Sequence, residues 1–420
     1  MAAPVSKRLA GGWPRLRRRA GALLAGGANT LLLPLLSPLV ALLVIRLASA
    51  ELWGGFVRVL LPVQLGAHLL VWGNRDYLLR AFSRQPARIA ALWRSNLLTR
   101  LPLLMGALPP LMVLGVAPGR AALLLGWLLA GMVDQSCEAL VAYRKTFGAQ
   151  LAIDLAGLAG LAGGVAWLGE GLGMDGLIGL FALVEAAKAL ALTAWLGAWR
   201  QPANAGAGAA PPTPDWGYFR RALPFFLLGL TGLLQSRIDQ YCAASLLAPG
   251  ELAAYQVISN FLIYLQALAA VALTPLLKGL YRLPQASLLL LARRLLLAGL
   301  ALLGPALAAV AVLLARLYRL APAPRTLLIG GLSVIPIYYY LPVIHALYKA
   351  GRQRAVLWVN LAGTALNLPL ALALLPALRI DGGLLANAAA QWLMLAAYLR
   401  LSRALGANDG AALPDLPRAA

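Results

Sequence analysis

Arginine, aspartate and glutamine interrupt one long apolar stretch of this chain within five residues, at Gln235, Arg237 and Asp239. On a helix, residues two apart point to different faces, so Arg237 and Asp239 do not easily neutralise each other. Each therefore needs a partner on another helix or a ligand, because an ionised group at membrane depth is costly when unpaired. We take Arg237, with Gln235 beside it, as the leading candidate for contact with an anionic substrate.

Three carboxylates in other apolar stretches form a second group. Asp134 and Glu138 are four residues apart and share one helix face, and Asp154 enters at a similar depth from the next stretch. If they converge, their mutual repulsion favours proton binding, and a proton-coupling role follows for these carboxylates and for Asp239. The alternative is that basic residues nearby, such as Arg144 or Lys145, pair with them.

Two further cations and one amide complete the candidate set for substrate binding. Lys188 lies three residues after Glu185 and can pair with it along the helix, or it can attract an anion into a cavity. Arg58 can reach the membrane surface, or it can present its planar fork of donors to a phosphate or carboxylate. Asn29 can hydrogen-bond to a neighbouring helix or to sugar hydroxyls.

Motifs for enzymatic chemistry are missing from the sequence. It has no nucleotide-binding loop, catalytic triad, zinc-ligand spacing or glycine-rich dinucleotide fingerprint. His68 and His345 are isolated, and Cys137 and Cys242 fall inside apolar stretches. We therefore expect no enzyme activity, no metal and no cofactor.

The elements that carry these residues are twelve apolar stretches, each long enough to span a bilayer as a helix of about 20 residues. We place them near residues 20–45, 54–79, 97–117, 120–143, 148–169, 174–199, 222–247, 251–277, 287–315, 326–348, 355–377 and 383–402. The fold class predicted is an all-α polytopic membrane protein with about twelve transmembrane helices.

The distribution of basic residues predicts the orientation. With a cytoplasmic N-terminus, about 26 of the 36 Lys and Arg residues fall in inner loops or tails, the bias expected of cytoplasmic segments. Six fall outside, and these are Arg46, Arg120, Arg316, Arg319, Arg325 and Arg379. Both termini are therefore predicted to lie in the cytoplasm.

Composition excludes nucleic acid as a partner despite a net charge of +22. A hydrophobic fraction of 61% and a mean hydropathy of +0.78 leave little polar surface for a basic groove. The charge is better explained by orientation and by attraction to anionic membrane lipids.

A segment rich in proline, glycine and alanine, residues 201–216, divides the chain. Residues 1–200 form one predicted lobe of six helices, and 217–420 form the other, ending in a short tail without predicted structure. Six spans on each side allow two lobes related as parallel repeats, as in two-lobed transporters.

One stretch near the third span is predicted to lie in the headgroup layer instead of crossing the membrane. Trp93 and Leu97 fall on its apolar stripe, and Arg84 and Arg100 flank that stripe. The alternative is ordinary anchoring of a helix end by tryptophan and arginine.

Several short motifs, in order along the chain, resemble the polysaccharide-exporter family, the oligosaccharide flippases of the multidrug/oligosaccharidyl-lipid/polysaccharide (MATE-like) superfamily. They are RLASAELWG at Arg46–Gly54, GNRDY at Gly73–Tyr77, ALP at Ala222–Pro224, GELAAY at Gly250–Tyr255, AGR at Ala350–Arg352 and IDGGLLA at Ile380–Ala386. Twelve spans are fewer than the fourteen of the lipid II flippase branch.

The resemblance implies a two-lobed, V-shaped transporter that moves an undecaprenyl-diphosphate-linked oligosaccharide across the bacterial cytoplasmic (inner) membrane by alternating access. Glycan polymerase and glycosyltransferases are its expected partners in surface polysaccharide synthesis. Arg58, Lys188 and Arg237 suit the diphosphate, since arginine binds phosphate bidentately. The alternatives are a cation-coupled multidrug exporter of the same superfamily and, from another class, a membrane glycan polymerase or glycosyltransferase.

Overall fold

The computed structural model describes residues 38–106, 116–199, 213–273, 280 and 285–409. Within these residues the chain is almost entirely helical and contains no strand. Asn29, most of the first predicted span and residues 201–212 of the predicted linker lie outside the described residues.

The helices overlap the predicted spans, but the predicted span 54–79 is broken at Trp72 and Gly73, and the helix that overlaps 97–117 begins earlier, at Ile89. Their bounds are α1 Pro38–Leu47, α2 Ala50–Val71, α3 Asn74–Arg84, α4 Ile89–Met105, α5 Pro118–Arg144, α6 Phe147–Leu168, α7 Met174–Leu196, α8 Tyr218–Leu246, α9 Pro249–Leu273, α10 Gln285–Leu313, α11 Pro324–Lys349 and α12 Gln353–Asp409. The last is broken at Arg379, whose φ of 52° is not helical, so its two parts match the last two predicted spans.

Eight helical segments in the described part of the chain are long and apolar enough to cross a membrane. Helix α8 is not among them, since Gln235, Arg237, Asp239 and Gln240 reduce the hydropathy of its second half. The predicted fold class, an all-α polytopic membrane protein, is confirmed.

Local signals explain where several helices begin and end. The hydroxyl of Ser49 accepts a hydrogen bond of 3.0 Å from the backbone N–H of Leu52 and so caps α2. Pro118 and Pro324 occupy the first turns of α5 and α11, where a missing N–H costs nothing. Between α2 and α3, Trp72 and Gly73 both adopt left-handed conformations, with φ of 46° and 67°, and end the helix.

The chain divides into two compact units. The first comprises residues 1–52 and 59–229, and the second comprises 53–58 and 230–420. Helices α2 and α8 therefore each contribute residues to both units.

Each unit has its own packing. In the first, α5 packs against α7 and α3, and α6 packs against α7. In the second, α11 packs against α12, α10 and α9, and one apolar cluster in its core includes Tyr340, Leu347 and Tyr398. Large apolar side chains also face outward, among them Leu190 at 70% and Leu297 at 66% exposure, as expected of helices in lipid.

The stretch that the sequence placed in the headgroup layer is instead packed inside the first unit, so that prediction is wrong. Trp93 is fully buried, and its indole Nε1 donates a hydrogen bond of 3.0 Å to the carbonyl of Ser136. Leu97 and Arg100 are also buried. The apolar stripe of α4 faces α5 and other protein, because a full-length helical neighbour covers it.

Three salt bridges each join residues that the predicted topology places on the same side of the membrane. Arg120 pairs with Asp175 at 2.5 Å in the first unit. In the second unit, Arg379 pairs with Glu251 at 2.6 Å and Arg325 pairs with Asp381 at 2.9 Å. All of these residues belong to loops or helix ends that the charge pattern places on the outer side. Three of the six arginines that are predicted to lie outside are thus paired with carboxylates that the same prediction places on that side.

Candidate functional site

Asp239 is the centre of a polar site in the second unit. Its side chain is only 1% exposed, in the middle of α8. The hydroxyl of Tyr255 on α9 donates to Asp239 Oδ2, and Asn387 Nδ2 on α12 approaches the same oxygen at 3.5 Å. In the part of the chain that the structure describes, no group donates a hydrogen bond to Oδ1. A buried carboxylate oxygen without a donor is costly, so this atom is available to a proton or a cation.

Glycine on α12 makes this arrangement possible. A β-carbon at Gly383 would lie 2.8 Å from the hydroxyl oxygen of Tyr255, closer than real β-carbon contacts. Only glycine therefore lets Tyr255 lie flat against α12 and reach Asp239. The close packing of Tyr255 thus explains the glycine at position 383 of the motif Ile380–Ala386.

A small cleft with a cavity volume of about 10 Å³ adjoins Asp239. It is lined by the polar residues Ser236, Asp239, Gln240, Ser259, Gln266, Ser333 and Asn387, together with Leu262, Ile263 and Leu384. Two more buried atoms of this lining, Ser259 Oγ and Asn387 Oδ1, have no hydrogen-bond partner within the described ranges. A cleft of this size has room for about one water or a small cation, and it is far below the usual size of an organic ligand pocket.

Arg237 lies one helical turn from Gln240, and its Nη1 donates a hydrogen bond of 3.3 Å to Gln240 Oε1. Within the described residues no carboxylate lies within 4.0 Å of its guanidinium, so Asp239 does not neutralise it, as the spacing predicted. Gln235 is half-buried on the same helix. The described residues therefore leave the guanidinium of Arg237 without a carboxylate partner.

In the first unit, Lys188 gathers carboxylates from three helices. Its Nζ lies 3.0 Å from Asp154 Oδ1 on α6, 3.3 Å from Glu185 Oε2 on α7 and 4.0 Å from Asp134 Oδ2 on α5. The side chains of Lys188 and Asp154 are 19% and 7% exposed. We call these four residues the Lys188 cluster. Their formal charges sum to −2 when every group is ionised.

Small residues bring these helices close enough for the cluster to form. A β-carbon at Gly157, one turn after Asp154, would lie 2.8 Å from Cδ of Lys188. Gly131, one turn before Asp134, faces Glu185 in the same way with more room, at 3.9 Å. Glycine on α6 thus leaves space for the aliphatic stem of Lys188, a packing mode common between membrane helices.

The partners of the carboxylates differ from those expected. Arg144 donates to the carbonyl of Leu196 instead of pairing with Asp134. Glu138 pairs with Arg75 on α3 at 3.7 Å, beside the cluster and not within it. The sequence correctly paired Lys188 with Glu185, but it did not show that the same ammonium also contacts Asp134 and Asp154.

Arg58 has backbone partners in the second unit. Its Nε and Nη2 donate to the carbonyls of Ala244 and Leu247, at 3.0 and 2.6 Å. These carbonyls lie at the C-terminal end of α8, where the helix dipole is negative and favours a cation. The structure gives Arg58 a helix-capping contact, which the sequence could not predict.

Arg100 is a buried cation whose setting the sequence did not reveal. Its side chain is 0% exposed on α4. Nη1 donates to the carbonyl of Leu70 at 3.2 Å, Nη2 to Ser136 Oγ at 2.6 Å and Nε to Asn96 Oδ1 at 3.1 Å. The hydroxyl of Tyr218 donates to the carbonyl of Trp72 at 2.8 Å. Arg100 and Tyr218 thus donate hydrogen bonds to backbone carbonyls at the C-terminal end of α2, where the helix itself supplies no donor. The signal available was an arginine inside a predicted span, which needs internal partners.

Comparison with solved structures identifies the fold. The lipid II flippase MurJ, in its inward closed conformation, superposes with a TM-score of 0.68 over 91% of this chain and 87% of its own, at 12% identity. The eukaryotic MATE transporter AtDTX14 gives a TM-score of 0.52 over 92% of this chain and 96% of its own, at 15% identity. No protein-family profile and no curated sequence matches the chain.

The protein is therefore a multi-pass membrane protein with the MATE-like fold that MurJ and MATE transporters share. This is the fold that the sequence motifs implied. At identities of 12% and 15% the likeness extends to the fold alone.

Proposed function

We propose that this protein is a flippase that moves an undecaprenyl-diphosphate-linked oligosaccharide across the bacterial cytoplasmic membrane by alternating access, with both termini in the cytoplasm. The observation that carries the proposal is Arg237, a half-buried guanidinium at membrane depth without a carboxylate partner among the described residues. A diphosphate supplies the missing anion, and the planar fork of arginine matches phosphate oxygens. The fold shared with a lipid II flippase supports the same class of cargo.

The three basic candidates differ in how much charge they offer a substrate. Lys188 is surrounded by three carboxylates, and Arg58 donates to two carbonyls at a helix end. Among the described residues, the guanidinium of Arg237 donates to a neutral amide, that of Gln240. The proposal therefore gives Arg237 the main role in binding the diphosphate. Arg58, with its exposed side chain, is secondary, and Lys188 contributes least.

Asp239 is the proposed site of the coupling cation. The carboxylate is buried, one of its oxygens has no hydrogen-bond partner among the described residues, and the adjoining small cleft is lined by further hydroxyl and amide groups. These features suit a proton or a monovalent cation with oxygen ligands better than they suit an organic cation. They favour ion coupling of a flippase over direct binding of a cationic drug at this carboxylate.

The test is lipid flipping in proteoliposomes. The probe is a fluorescent polyprenyl-diphosphate oligosaccharide whose outer-leaflet fraction is removed by a membrane-impermeant quencher. Arg237→Gln should lower the initial rate about tenfold to a hundredfold, the effect of losing one charge-assisted hydrogen bond. Arg237→Lys should retain more activity than Arg237→Gln. Arg293→Gln, an exposed arginine on α10, serves as the matched control with an unchanged rate.

Other outcomes separate the alternatives. A wild-type rate in Arg237→Gln would contradict the role of this guanidinium in binding the cargo. Efflux of organic cations without lipid flipping would identify a multidrug exporter. Extension of the lipid-linked glycan by the purified protein would identify a polymerase or glycosyltransferase. Replacing Asp239 with Asn should abolish the dependence of flipping on an imposed ion gradient while leaving downhill equilibration of the probe.

A further inference from the structure

Arg100 is a fully buried cation of the first unit whose charge is only partly balanced. No carboxylate among the described residues lies within 4.0 Å of its guanidinium nitrogens. The carbonyls of Leu70 and Val71 accept from it at 3.2 and 3.5 Å. They lie at the C-terminal end of α2, and a helix end offsets about half an elementary charge. The remaining positive charge is costly in a buried site unless an anion balances it.

Hydrogen-bond donors without acceptors lie beside this guanidinium. Nη2 of Arg100 donates one N–H to Ser136 Oγ at 2.6 Å, and no group in the described ranges accepts its second N–H. Asn96 is 4% exposed, and its Oδ1 accepts from Arg100 Nε at 3.1 Å, whereas its Nδ2 has no partner of hydrogen-bond geometry in the same ranges. The hydroxyl of Tyr218 lies near Asn96 but donates to the carbonyls at the end of α2. The site therefore has an excess of donors.

Asn74 is an independent indication of a ligand in this region. It is 0% exposed, and neither its Oδ1 nor its Nδ2 has a hydrogen-bond partner in the part of the chain that the structure describes. Burying both polar atoms of an amide without partners is costly, so a ligand is expected to complete their hydrogen bonds. Asn74 begins α3 directly after the turn that follows the carbonyls of Leu70 and Val71.

The packing of α3 against α5 places Asn74 close to Arg100. Arg75 pairs with Glu138 at 3.7 Å and so fixes the two helices against each other. Asn74 precedes Arg75 by one residue, and Ser136 precedes Glu138 by two. Asn74 and Ser136 thus lie within one helical turn of the same contact. Since Ser136 is the residue to which Arg100 donates, the unpaired amide and the guanidinium belong to one buried region.

The backbone adds further donors at the start of α3. The first N–H groups of a helix have no partner within it, and Gly73 at the N-cap has no side chain that could accept from them. Gly73 has a φ of 67° and is followed by the helical Asn74, and such turns present successive N–H groups to an anion. The helix dipole is positive at this end. Asp76 in the same turn is exposed, so its carboxylate does not fill the buried site.

Charge and burial together define the ligand. A metal cation would be repelled by Arg100, and a water molecule would satisfy donors but leave the charge unbalanced. Arg100 and Asn74 are both 0% exposed, so a phosphate or carboxylate carried by a larger molecule does not reach them. A small monovalent anion meets both conditions, and chloride is the common ion of this kind.

We propose that the first unit binds a chloride ion between Arg100, the side-chain amides of Asn74 and Asn96, and the first turn of α3. The ion balances the buried guanidinium and joins the end of α2 to the beginning of α3. Its binding does not rest on the proposed function, because it involves neither the lipid-linked cargo nor the coupling cation.

Thermal unfolding of the purified full-length protein in detergent tests the site. Replacing potassium gluconate by potassium chloride at constant ionic strength should raise the unfolding temperature of the wild type by roughly 2–4 °C, with saturation. Arg100→Met should lose this shift. Asn74→Leu should lose it too, and it should be at least as stable as the wild type in gluconate, since Asn74 makes no side-chain hydrogen bond to described residues. Arg84→Met, at the exposed end of α3, is the matched control and should keep the shift.

A charge replacement and a heavier halide provide further readouts. Asn74→Asp supplies a fixed carboxylate, so this variant should unfold at the same temperature in both salts. Crystals grown with bromide should show an anomalous peak beside Arg100.

Equal unfolding temperatures of the wild type in chloride and gluconate would overturn the proposal. So would a chloride shift that persists in Asn74→Leu or Arg100→Met, or a site that holds water and no bromide. None of these readouts involves flipping, so a failure of the flippase assignment would be recognised separately.

Discussion

Replacement of Arg100 by methionine should destabilise the protein more than replacement of any exposed arginine. Methionine keeps much of the apolar stem but removes every donor of the guanidinium. The carbonyl of Leu70 and Asn96 Oδ1 then lose their donors at 3.2 and 3.1 Å. Leu70 lies in the last turn of α2, where carbonyls have no partner within the helix, so nothing local replaces Arg100.

The size of the effect follows from these two acceptors. A buried acceptor left without a donor costs about 1–3 kcal/mol. Two acceptors together cost roughly 2–6 kcal/mol. Part of this loss is offset because the variant no longer has the desolvation cost of a buried guanidinium. We expect a net loss of about 2–4 kcal/mol in the free energy of unfolding. The free energy of unfolding of Arg100→Lys should lie between those of the wild type and Arg100→Met, because one ammonium cannot reach both the Leu70 carbonyl and Ser136 Oγ.

Unfolding in mixed micelles with increasing denaturing detergent measures this difference, with tryptophan fluorescence as the signal. Arg84→Met is the matched control, since Arg84 is exposed at the end of α3 and should change the midpoint little. Equal midpoints for Arg100→Met and Arg84→Met would refute the reasoning. That result would mean that water or rearranged side chains satisfy the end of α2 at no cost.

Two further predictions use the same unfolding assay. Gly54→Ala should prevent stable folding, because its β-carbon would overlap the backbone carbonyl of Pro249. Gly126→Ala is the matched control, since no atom lies within 4 Å of its β-carbon, and it should be neutral or more stable by up to about 1 kcal/mol. A normally stable Gly54→Ala would show that α2 can shift against α9 at this point. Glu251→Gln should cost no more than about 1 kcal/mol, since its partner Arg379 is 51% exposed, and a larger loss would show that this pair is shielded from water.

The predicted helices agree with the structure because apolar length is a local property. A stretch of about 20 apolar residues is stable in a bilayer only as a helix, which satisfies its own backbone. In the structure these helices begin a few residues earlier than predicted, at Pro118, at Pro324 and after the capping residue Ser49. The stretch around Trp93 was misassigned because an amphipathic stripe does not distinguish a membrane surface from a protein neighbour.

The polar candidates were recognised individually but not as groups. An ionised residue in an apolar stretch is visible in the sequence, so Lys188, Asp154 and Asp239 were all identified. Pairing within one helix, as between Glu185 and Lys188, follows from spacing, and the structure confirms it at 3.3 Å. Contacts between helices, such as Tyr255 with Asp239, do not follow from spacing.

The sequence by itself determined the class of the protein: a bundle of membrane helices with a MATE-like motif order and few charges at membrane depth. The tertiary structure alone decided what those charges do. Lys188 is neutralised by carboxylates, Arg58 and Arg100 are engaged by carbonyls, and Arg237 keeps its charge. The physical reason is that the energy of a buried charge depends on the groups within a few ångströms of it, and these groups belong to helices that are distant in sequence.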